Sequence, residues 1–356
     1  MEKAYLVLEN GTVLEGDRIG AAGDRAGELV FTTGMSGYLE TLTDPSYYGQ
    51  IVIQTFPLIG NYGVINDDFE GACAVSGYVV RELCEVPSNF RCEGTLDGFL
   101  KARNIPGISG VDTRALTRLI RENGVMNAAI CSLPPADMAA VRSYEITSAV
   151  ASVSRREKQV YPAAGEKKFS VTLIDYGVKR GIIEALRARG CQVTAVPYDT
   201  SAGDILASAP DGVVLSNGPG DPKENTLCIA QLRELIGQVP VFGVCLGHQL
   251  AALAMGGETV KLKYGHRGVN QPVRDLTGTR TYITSQNHGY AVVAKSLEGV
   301  GRESFQNAND GSCEGMDYPG KRCFTVQFHP EACSGPKDTG FLFDRFTAMM
   351  GGGRNA

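Results

Sequence analysis

The chain has 356 residues, of which 43% are apolar and 21% charged, and its formal net charge is −5 at pH 7. This composition excludes a disordered or fibrous chain, and the length allows two domains that each bury a core. The acidic balance and the lack of a basic cluster argue against nucleic acid as a partner. No apolar run reaches the ~18 residues of a bilayer span, so we expect no membrane segment.

Ten cysteines are scattered along the chain, and none of them forms Cys-x-x-Cys. This spacing argues against a zinc knuckle and a redox pair, and we expect no metal in this chain. The opening stretch MEKAYLVLENGTVLEG has an apolar run that is too short for a secretory signal. We therefore expect a cytoplasmic protein in which most of the cysteines are small buried hydrophobes.

The first part of the chain, residues 1–150, is predicted to be a mixed β/α domain. Its stretch AYLVLENGTVLEG contains two strands joined at Asn10-Gly11, a strong hairpin signal. Other short apolar strands follow. The stretch DTRALTRLIRENG is then predicted to be a helix with Asp112 as its N-cap and Gly124 just past its end.

The rest of the chain has a different pattern. Residues 151–168 are charged, lack apolar periodicity and are predicted to be a linker. In residues 169–351, apolar strands alternate with amphipathic helices, which predicts a doubly wound, mostly parallel sheet with helices on both faces. The expected fold class is therefore α/β, with a mixed β/α domain followed by this parallel-sheet domain.

Two loops of the second domain directly follow apolar strands, where ligands bind in such a sheet. One is SNGPGDP, residues 216–222, and the other is GVCLGHQ, residues 243–249. The second has the Gly-x-Cys-x-Gly form of a nucleophile elbow, in which a strand turns sharply into a helix. There the helix dipole favours a thiolate at Cys245, and the amide of Leu246 can face an oxyanion. A core cysteine between packing glycines fits the same short pattern, so both interpretations stay open.

A cysteine nucleophile needs a base, and the chain has only four histidines. For His248, in the first turn of the predicted helix, we expect a structural role. We expect His266, in the polar loop KYGHRG, at the surface or against substrate, and His288 in the wall of the site. His329 ends the strand CFTVQFHPEA, and Glu331 can orient its imidazole and stabilise the cation. A solvated His-Pro-Glu turn is the alternative.

The SNGPGDP loop lacks the lysine that a phosphate-binding loop would carry. Its glycines can expose backbone N–H groups that complete an oxyanion hole opposite Leu246. A tight turn at the end of a strand would use the same residues, so this pattern alone does not choose between the two.

Four segments, SNGPGDP, GVCLGHQ, SQNHGYAV and FHPEA, occur together in this order. The combination strongly resembles the class I, or triad, glutamine amidotransferase domain over about residues 169–350. Segments 27–63 and 107–130 look like the N-terminal domain of carbamoyl phosphate synthetase small subunits. The resemblance therefore extends along essentially the whole chain.

The resemblance implies that Cys245 is the nucleophile, His329 the base and Glu331 the partner of the base. It implies glutamine contacts for eight residues: Ser46, Gly218, Gly220, Leu246, Gln249, Asn287, Gly289 and Tyr290. The family commonly has phenylalanine at the last of these positions, which matters little if Tyr290 acts through its backbone. Ordinary capping is the alternative role for Ser46, Gln249 and Asn287.

The resemblance also implies a reaction and a partner. L-glutamine would be hydrolysed through a γ-glutamyl thioester, and the ammonia would pass to a large ATP-dependent subunit that makes carbamoyl phosphate from bicarbonate for arginine and pyrimidine synthesis. The implied assembly is a heterodimer, or a higher oligomer of heterodimers. ATP and Mg would bind the large subunit, with no cofactor in this chain, and the first domain would supply much of the docking surface.

Two other classes of function fit the same fold. A free-standing cysteine hydrolase or peptidase would work without a partner, and glutamine turnover unaffected by a large subunit would favour it. A non-catalytic regulatory or scaffold subunit would need no triad, and the intact Cys245, His329 and Glu331 count against it.

Overall fold

The computed structural model describes residues 2–135, 137–332 and 334–352. The chain divides into two compact units, Met1–Ala149 and Val150–Ala356. Within the described ranges, no helix combines the length and the apolar character needed to cross a bilayer.

The first unit is built on a closed barrel. The strands of this unit are β1 Lys3–Leu8, β2 Val13–Gly20, β3 Arg25–Thr32, β4 Gln50–Gln54, β5 Leu58–Ile59, β6 Gly77–Val79, β7 Glu82–Leu83, β8 Pro106–Ser109 and β9 Met126–Cys131. Its helices are α1 Tyr38–Leu42, α2 Leu96–Ala102, α3 Thr113–Asn123 and α4 Ala139–Arg142. The barrel order is β1-β2-β8-β6-β4-β3-β9, while β5 and β7 pair separately. Buried side chains of α1 and α2, such as Leu39 and Leu100, share one core with Val52 and Tyr78 of the barrel.

The turn and helix-capping residues of the first unit form the structures that the sequence predicts. Strands β1 and β2 pair antiparallel, and Gly11 in the turn between them has φ 89°, which glycine adopts without strain. The side chain of Asp112 accepts a hydrogen bond from the Ala115 amide at the start of α3. Gly124 follows the end of α3 with φ 97°. The predicted hairpin and both predicted helix boundaries are therefore confirmed.

The second unit contains one ten-stranded sheet. Its strands are β10 Gln159–Tyr161, β11 Phe169–Asp175, β12 Cys191–Pro197, β13 Gly212–Leu215, β14 Val241–Val244, β15 Glu258–Asp275, β16 Thr281–Val293, β17 Arg302–Asn307, β18 Cys313–Tyr318 and β19 Cys323–Val326. The helices are α5 Ala149–Val153, α6 Arg180–Arg187, α7 Ala202–Ala207, α8 Thr226–Leu235, α9 Leu246–Ala254 and α10 Phe341–Met350. The sheet order is β10-β12-β11-β13-β14-β19-β18-β16-β15-β17.

The centre of this sheet is parallel and covered on both faces. Strands β12, β11, β13, β14 and β19 pair in parallel. Along β13, Val213 belongs to a core shared with α7, α8 and α9, whereas the next residue, Val214, belongs to a core shared with α6 and α10. Because neighbouring side chains of a strand point to opposite faces, these two cores lie on the two sides of the sheet. The α/β, doubly wound fold class is confirmed.

The predicted linker is wrong in its structural character. Within 151–168, β10 pairs antiparallel with β12, and the side chain of Arg155 forms a 2.8 Å ion pair with the buried Asp175. Residues 159–161 of this segment therefore form one edge of the second sheet. The side chains of β10 are mostly exposed, and this explains why no apolar periodicity marks it.

Candidate active site

Cys245 lies at the sharp turn between β14 and α9. Its backbone has φ 53° and ψ −105°, a conformation that L-residues rarely adopt. The turn is held because the Cys245 amide donates to the Val326 carbonyl at 2.8 Å. A Cβ on Gly243 would lie 2.8 Å from Thr325 Cγ2, and a Cβ on Gly247 would collide with the Leu215 carbonyl oxygen. The two flanking glycines thus permit close packing that the elbow requires.

The Cys245 side chain is 2% exposed and faces strand β16. Its thiol donates to the Asn287 carbonyl oxygen at 3.6 Å. The Leu246 amide, at the first helical position, hydrogen-bonds to no described residue. An N–H of this kind next to a nucleophile is what an oxyanion hole needs.

His329 and Glu331 form a buried pair. His329 Nδ1 lies 2.7 Å from Glu331 Oε1, and the side chains are 2% and 0% exposed. The His329 amide donates to the Ser285 carbonyl at 2.9 Å, which ties the residue to β16. With Nδ1 committed to the carboxylate, Nε2 is the nitrogen available for proton transfer, and this atom is buried and hydrogen-bonds to no described residue.

The charges of this pair are strongly coupled. Burial lowers the pKa of His329, but the Glu331 carboxylate and the nearby Cys245 thiol raise it, and the net result is a pKa of about 10. Burial raises the pKa of Glu331, but the cations of Lys179 and His329 lower it to about 2. His329 is therefore an imidazolium at neutral pH.

Lys179 is a member of this site that the sequence analysis did not identify. Its Nζ lies 3.0 Å from Glu331 Oε1, and its side chain is 7% exposed. The residue precedes α6, and its amide donates to the Asn217 side chain at 3.1 Å. Its position just beyond the carboxyl end of β11 is the one sequence signal that marks it, because ligand sites of parallel sheets lie there.

The 216–222 loop packs against the elbow. The Gly247 amide donates to the Ser216 carbonyl at 3.0 Å. A Cβ on Gly218 would lie 2.8 Å from Leu246 Cδ2 and would collide with the Tyr176 carbonyl oxygen. Gly220 has φ 89°. The structure thus brings Gly218 next to Leu246, while the proposed oxyanion role of the loop stays a prediction.

Five of the predicted glutamine contacts lie on α9 and β16. Gln249 Nε2 donates to the Tyr290 carbonyl and to Gln327 Oε1, both at 2.9 Å. Gly289 lies between Tyr290 and His288 on β16, two residues from the carbonyl that accepts from the Cys245 thiol. Ser46 belongs to the first unit, where its amide donates to the Asp44 side chain. The roles of all eight residues in binding glutamine stay predictions.

The other three histidines are buried. His248 contacts Thr325 Oγ1 at 2.8 Å, and burial lowers its pKa to about 3, so it is a neutral core residue. His288 is 4% exposed and lies on β16. The prediction that His266 lies at the surface is wrong, because the residue is 8% exposed and pairs with Asp310 at 2.9 Å, while its alternative, a position against substrate, stays a prediction.

Comparisons with known proteins agree along the whole chain. Residues 6–130 match the model of the carbamoyl-phosphate synthase small chain, CPSase domain. Residues 172–349 match the model of glutamine amidotransferase class-I.

Curated relatives are similar over nearly their full length. A carbamoyl phosphate synthase small chain of Bacillus cereus is 49% identical over 98% of this chain and 96% of its own. The small chain of Oceanobacillus iheyensis is 48% identical over 98% and 96%, and that of Listeria monocytogenes is 48% identical over 99% and 98%. The chain belongs to the carbamoyl phosphate synthase small chain family and carries a class I glutamine amidotransferase domain.

Proposed function

We propose that this chain is the glutaminase subunit of a glutamine-hydrolysing carbamoyl phosphate synthase. The observation that carries the proposal is the buried group of Cys245, His329 and Glu331. A strained elbow presents the Cys245 thiol, and the Glu331 carboxylate orients His329 as the base. The family membership of both halves of the chain supports the choice of glutamine among the amides that such a site can hydrolyse.

The first half-reaction forms a thioester. The Cys245 thiolate attacks the side-chain carbonyl carbon of glutamine, and the negative charge that develops on the oxygen is held by the Leu246 amide and the N–H groups of the 218–220 loop. The His329 imidazolium then gives its Nε2 proton to the leaving nitrogen, so ammonia departs and a γ-glutamyl thioester remains. Glu331 and Lys179 balance the charge of the ring through this step.

The second half-reaction uses the same histidine in its neutral form. After donating its proton, His329 can take one from a water molecule, which attacks the thioester carbonyl. Glutamate leaves, the thiol group is released as thiolate, and the imidazolium is restored. The raised pKa of about 10 fits this cycle, because the resting ring then carries the proton that acylation consumes.

Glutamine recognition is assigned to residues around the elbow and to one residue of the first unit. We propose that Gln249, Asn287, Gly289 and Tyr290 contact the amino acid part of the substrate, with Ser46 as a further contact. The support for the first four is that α9 and β16 already hydrogen-bond each other beside Cys245.

The expected partner is the large subunit, in a heterodimer or an oligomer of heterodimers. It would receive the ammonia and bind ATP and Mg, which accounts for the lack of a phosphate-binding lysine in the 216–222 loop. We also propose a cytoplasmic setting, since all nine described cysteines are free thiols, as is usual in a reducing compartment.

Trapping of the thioester tests this proposal directly. The complex is mixed with isotopically labelled glutamine, quenched in acid and digested, and the labelled peptide is identified by mass spectrometry. We expect the label on Cys245, and we expect it to persist in a Cys228→Ala control, because Cys228 is a buried core thiol. Label on another residue, or glutamine turnover with no covalent adduct, would contradict the proposal.

A further inference from the structure

A second cluster of buried ionisable groups lies beside the triad but is not part of it. It contains His266 on β15, His288 on β16 and Glu314 on β18, with ligand atoms within 4.8 Å of one another. The Glu314 side chain is 0% exposed, and its Oε1 accepts from the side-chain amide of Asn307 at 3.2 Å. The other oxygen, Oε2, is buried and hydrogen-bonds to no described residue.

His266 lies between two acidic side chains of this region. His266 has one ring nitrogen 2.9 Å from Asp310 Oδ2 and the other 3.4 Å from Glu314 Oε1. The Asp310 carboxylate only accepts, so the nitrogen that faces it, Nε2, carries a proton, while Nδ1 also lies 3.4 Å from the side-chain amide nitrogen of Asn307. Burial lowers the pKa of His266, yet the bonds and charges of the two carboxylates raise it to about 9.

His288 is the neutral neighbour of this cation. Its Nδ1 lies 2.8 Å from the Tyr290 carbonyl, which fixes the proton on that nitrogen. Burial, and next the positive charge of His266, hold the pKa of His288 well below its usual value. The two rings meet edge to face with centroids 4.9 Å apart. The charged His266 ring therefore packs against the His288 ring, which hydrogen-bonds to the Tyr290 carbonyl.

The strand segment 285–290 that His288 belongs to makes three backbone contacts with the active site. The Ser285 carbonyl accepts from the His329 amide at 2.9 Å, and the Asn287 carbonyl accepts from the Cys245 thiol at 3.6 Å. The Tyr290 carbonyl accepts from Gln249 Nε2 at 2.9 Å as well as from His288. The position of this segment thus decides where three residues of the site lie.

Segment 285–290 of β16 pairs regularly with β15 over only a short stretch. The register of β15 against β16 shifts between Lys261 and His266 and again between Gly268 and Gln271. Between the shifts lie three pairs, one of which joins His266 to His288. The buried cluster therefore reinforces the pairing at the point where the ladder is irregular on both sides, and Glu314 links it to β18.

We propose that Glu314 and His266 are positioning residues for the glutamine site. Together they form a buried ion pair that fixes the 285–290 segment. The proposal rests on the proposed glutaminase function. A buried charge is costly without its partner, so loss of His266 leaves the buried Glu314 uncompensated, and loss of Glu314 leaves His266 held by Asp310 alone; either loss displaces the segment between them. Displacement of binding groups by about 1 Å can cost up to about a hundredfold in efficiency.

The test uses Glu314→Gln in the full complex of this chain with its large subunit. We expect the KM for glutamine to rise about tenfold or more, while kcat at saturating glutamine falls by less than about threefold, because the elbow and the His329–Glu331 pair remain. Glu314→Asp, which keeps the charge, should recover part of the KM. The matched control is Asp317→Asn on the same strand, which breaks a 3.0 Å ion pair with Arg345 and should leave the KM unchanged.

His266→Gln and the double variant complete the test. If the two residues act as one pair, the double variant raises the KM no more than the larger single effect, because a shared interaction is lost only once. Equal KM values for Glu314→Gln and Asp317→Asn would overturn the proposal. It would also be overturned if the KM increases of the two single variants multiplied in the double variant. One equivalent of zinc in the purified wild-type complex would also overturn it in favour of a metal site. Wild-type protein without glutaminase activity would instead refute the proposed function.

Discussion

At the scale of single residues, the active site contains alternating charges. Lys179, Glu331 and His329 form a row of cation, carboxylate and cation, each with a buried side chain. Buried charges are stable only when each is compensated. The row explains how a carboxylate and an imidazolium persist in a site that excludes water.

Lys179 is expected to tune the proton affinity of His329, the proposed base. Its cation lowers the pKa of His329, so we expect Lys179→Met to move the alkaline limb of the kcat/KM profile for glutamine to higher pH. At pH 8, deacylation, which needs the neutral ring, should slow by about tenfold for each unit of that shift. Lys158→Met removes an exposed lysine and is the control. An alkaline limb that moves to lower pH would contradict this role.

The triad also links stability to pH. The pKa of His329 rises from 6.5 to about 10 on folding, so its protonation stabilises the fold fully below about pH 6.5 and ceases to do so near pH 10. The pKa of Glu331 falls from 4.5 to about 2, so its contribution is present above about pH 4.5 and is lost as the pH falls towards 2.

This linkage is measurable through His329→Gln. The difference in free energy of unfolding between wild type and variant should shrink as the pH rises from 6.5 to 9, by up to about 1.4 kcal/mol per pH unit. Urea denaturation of both proteins at several pH values provides the comparison. A difference that stays constant over this range would show that the ring is neutral in the fold.

Not every member of the site could be predicted from the sequence. Cys245 lies in a local elbow motif, and His329 and Glu331 are two residues apart, so short patterns identify them. Lys179 and Glu331 are separated by 152 residues, and nothing in the sequence near Lys179 indicates its partner. His266 lies in a polar, glycine-flanked loop pattern, yet it is buried on β15, whose pairing with β16 and β17 is tertiary and has no local pattern.

At the scale of elements, helix α9 must approach the sheet closely. Gly247 in its first turn lies against β13, and its amide donates to the Ser216 carbonyl. We expect Gly247→Ala to cost about 1–3 kcal/mol of unfolding free energy and to displace the elbow, because the new Cβ would collide with the Leu215 backbone.

Gly165→Ala is the matched control for this prediction, since a Cβ at Gly165 meets nothing within 4 Å. Both variants are compared by urea denaturation and by glutamine hydrolysis. If Gly247→Ala were as stable and as active as Gly165→Ala, the close approach of α9 to β13 would not matter for the site.

Element prediction succeeded where burial leaves a periodic signal. The parallel strands β11, β13 and β14 are largely buried and mainly apolar, and the helices between the strands show amphipathic spacing. The edge strand β10 is mostly exposed and carries no such signal, so it was predicted as linker. The register shifts of β15 depend on tertiary packing and have no local sequence pattern.

At the scale of the whole molecule, the chain joins a closed barrel unit to an amidotransferase unit, and the family match covers both. Closure of the barrel requires β1 to pair with β9, more than a hundred residues away, as in Leu6 with Ile130. Local patterns predict the strands but not this closure. A closed barrel offers no free strand edge, so docking of a large subunit to it would use side-chain surfaces.

The division of labour between this chain and its large subunit is tested most directly by Cys245→Ala in the assembled complex. Carbamoyl phosphate formation is measured with glutamine and, separately, with ammonia as the nitrogen source, for wild type and variant. We predict that the variant loses the glutamine-driven reaction and keeps the ammonia-driven one at the wild-type rate. Glutamine-driven synthesis that survives in the variant would contradict the central claim that Cys245 releases the ammonia.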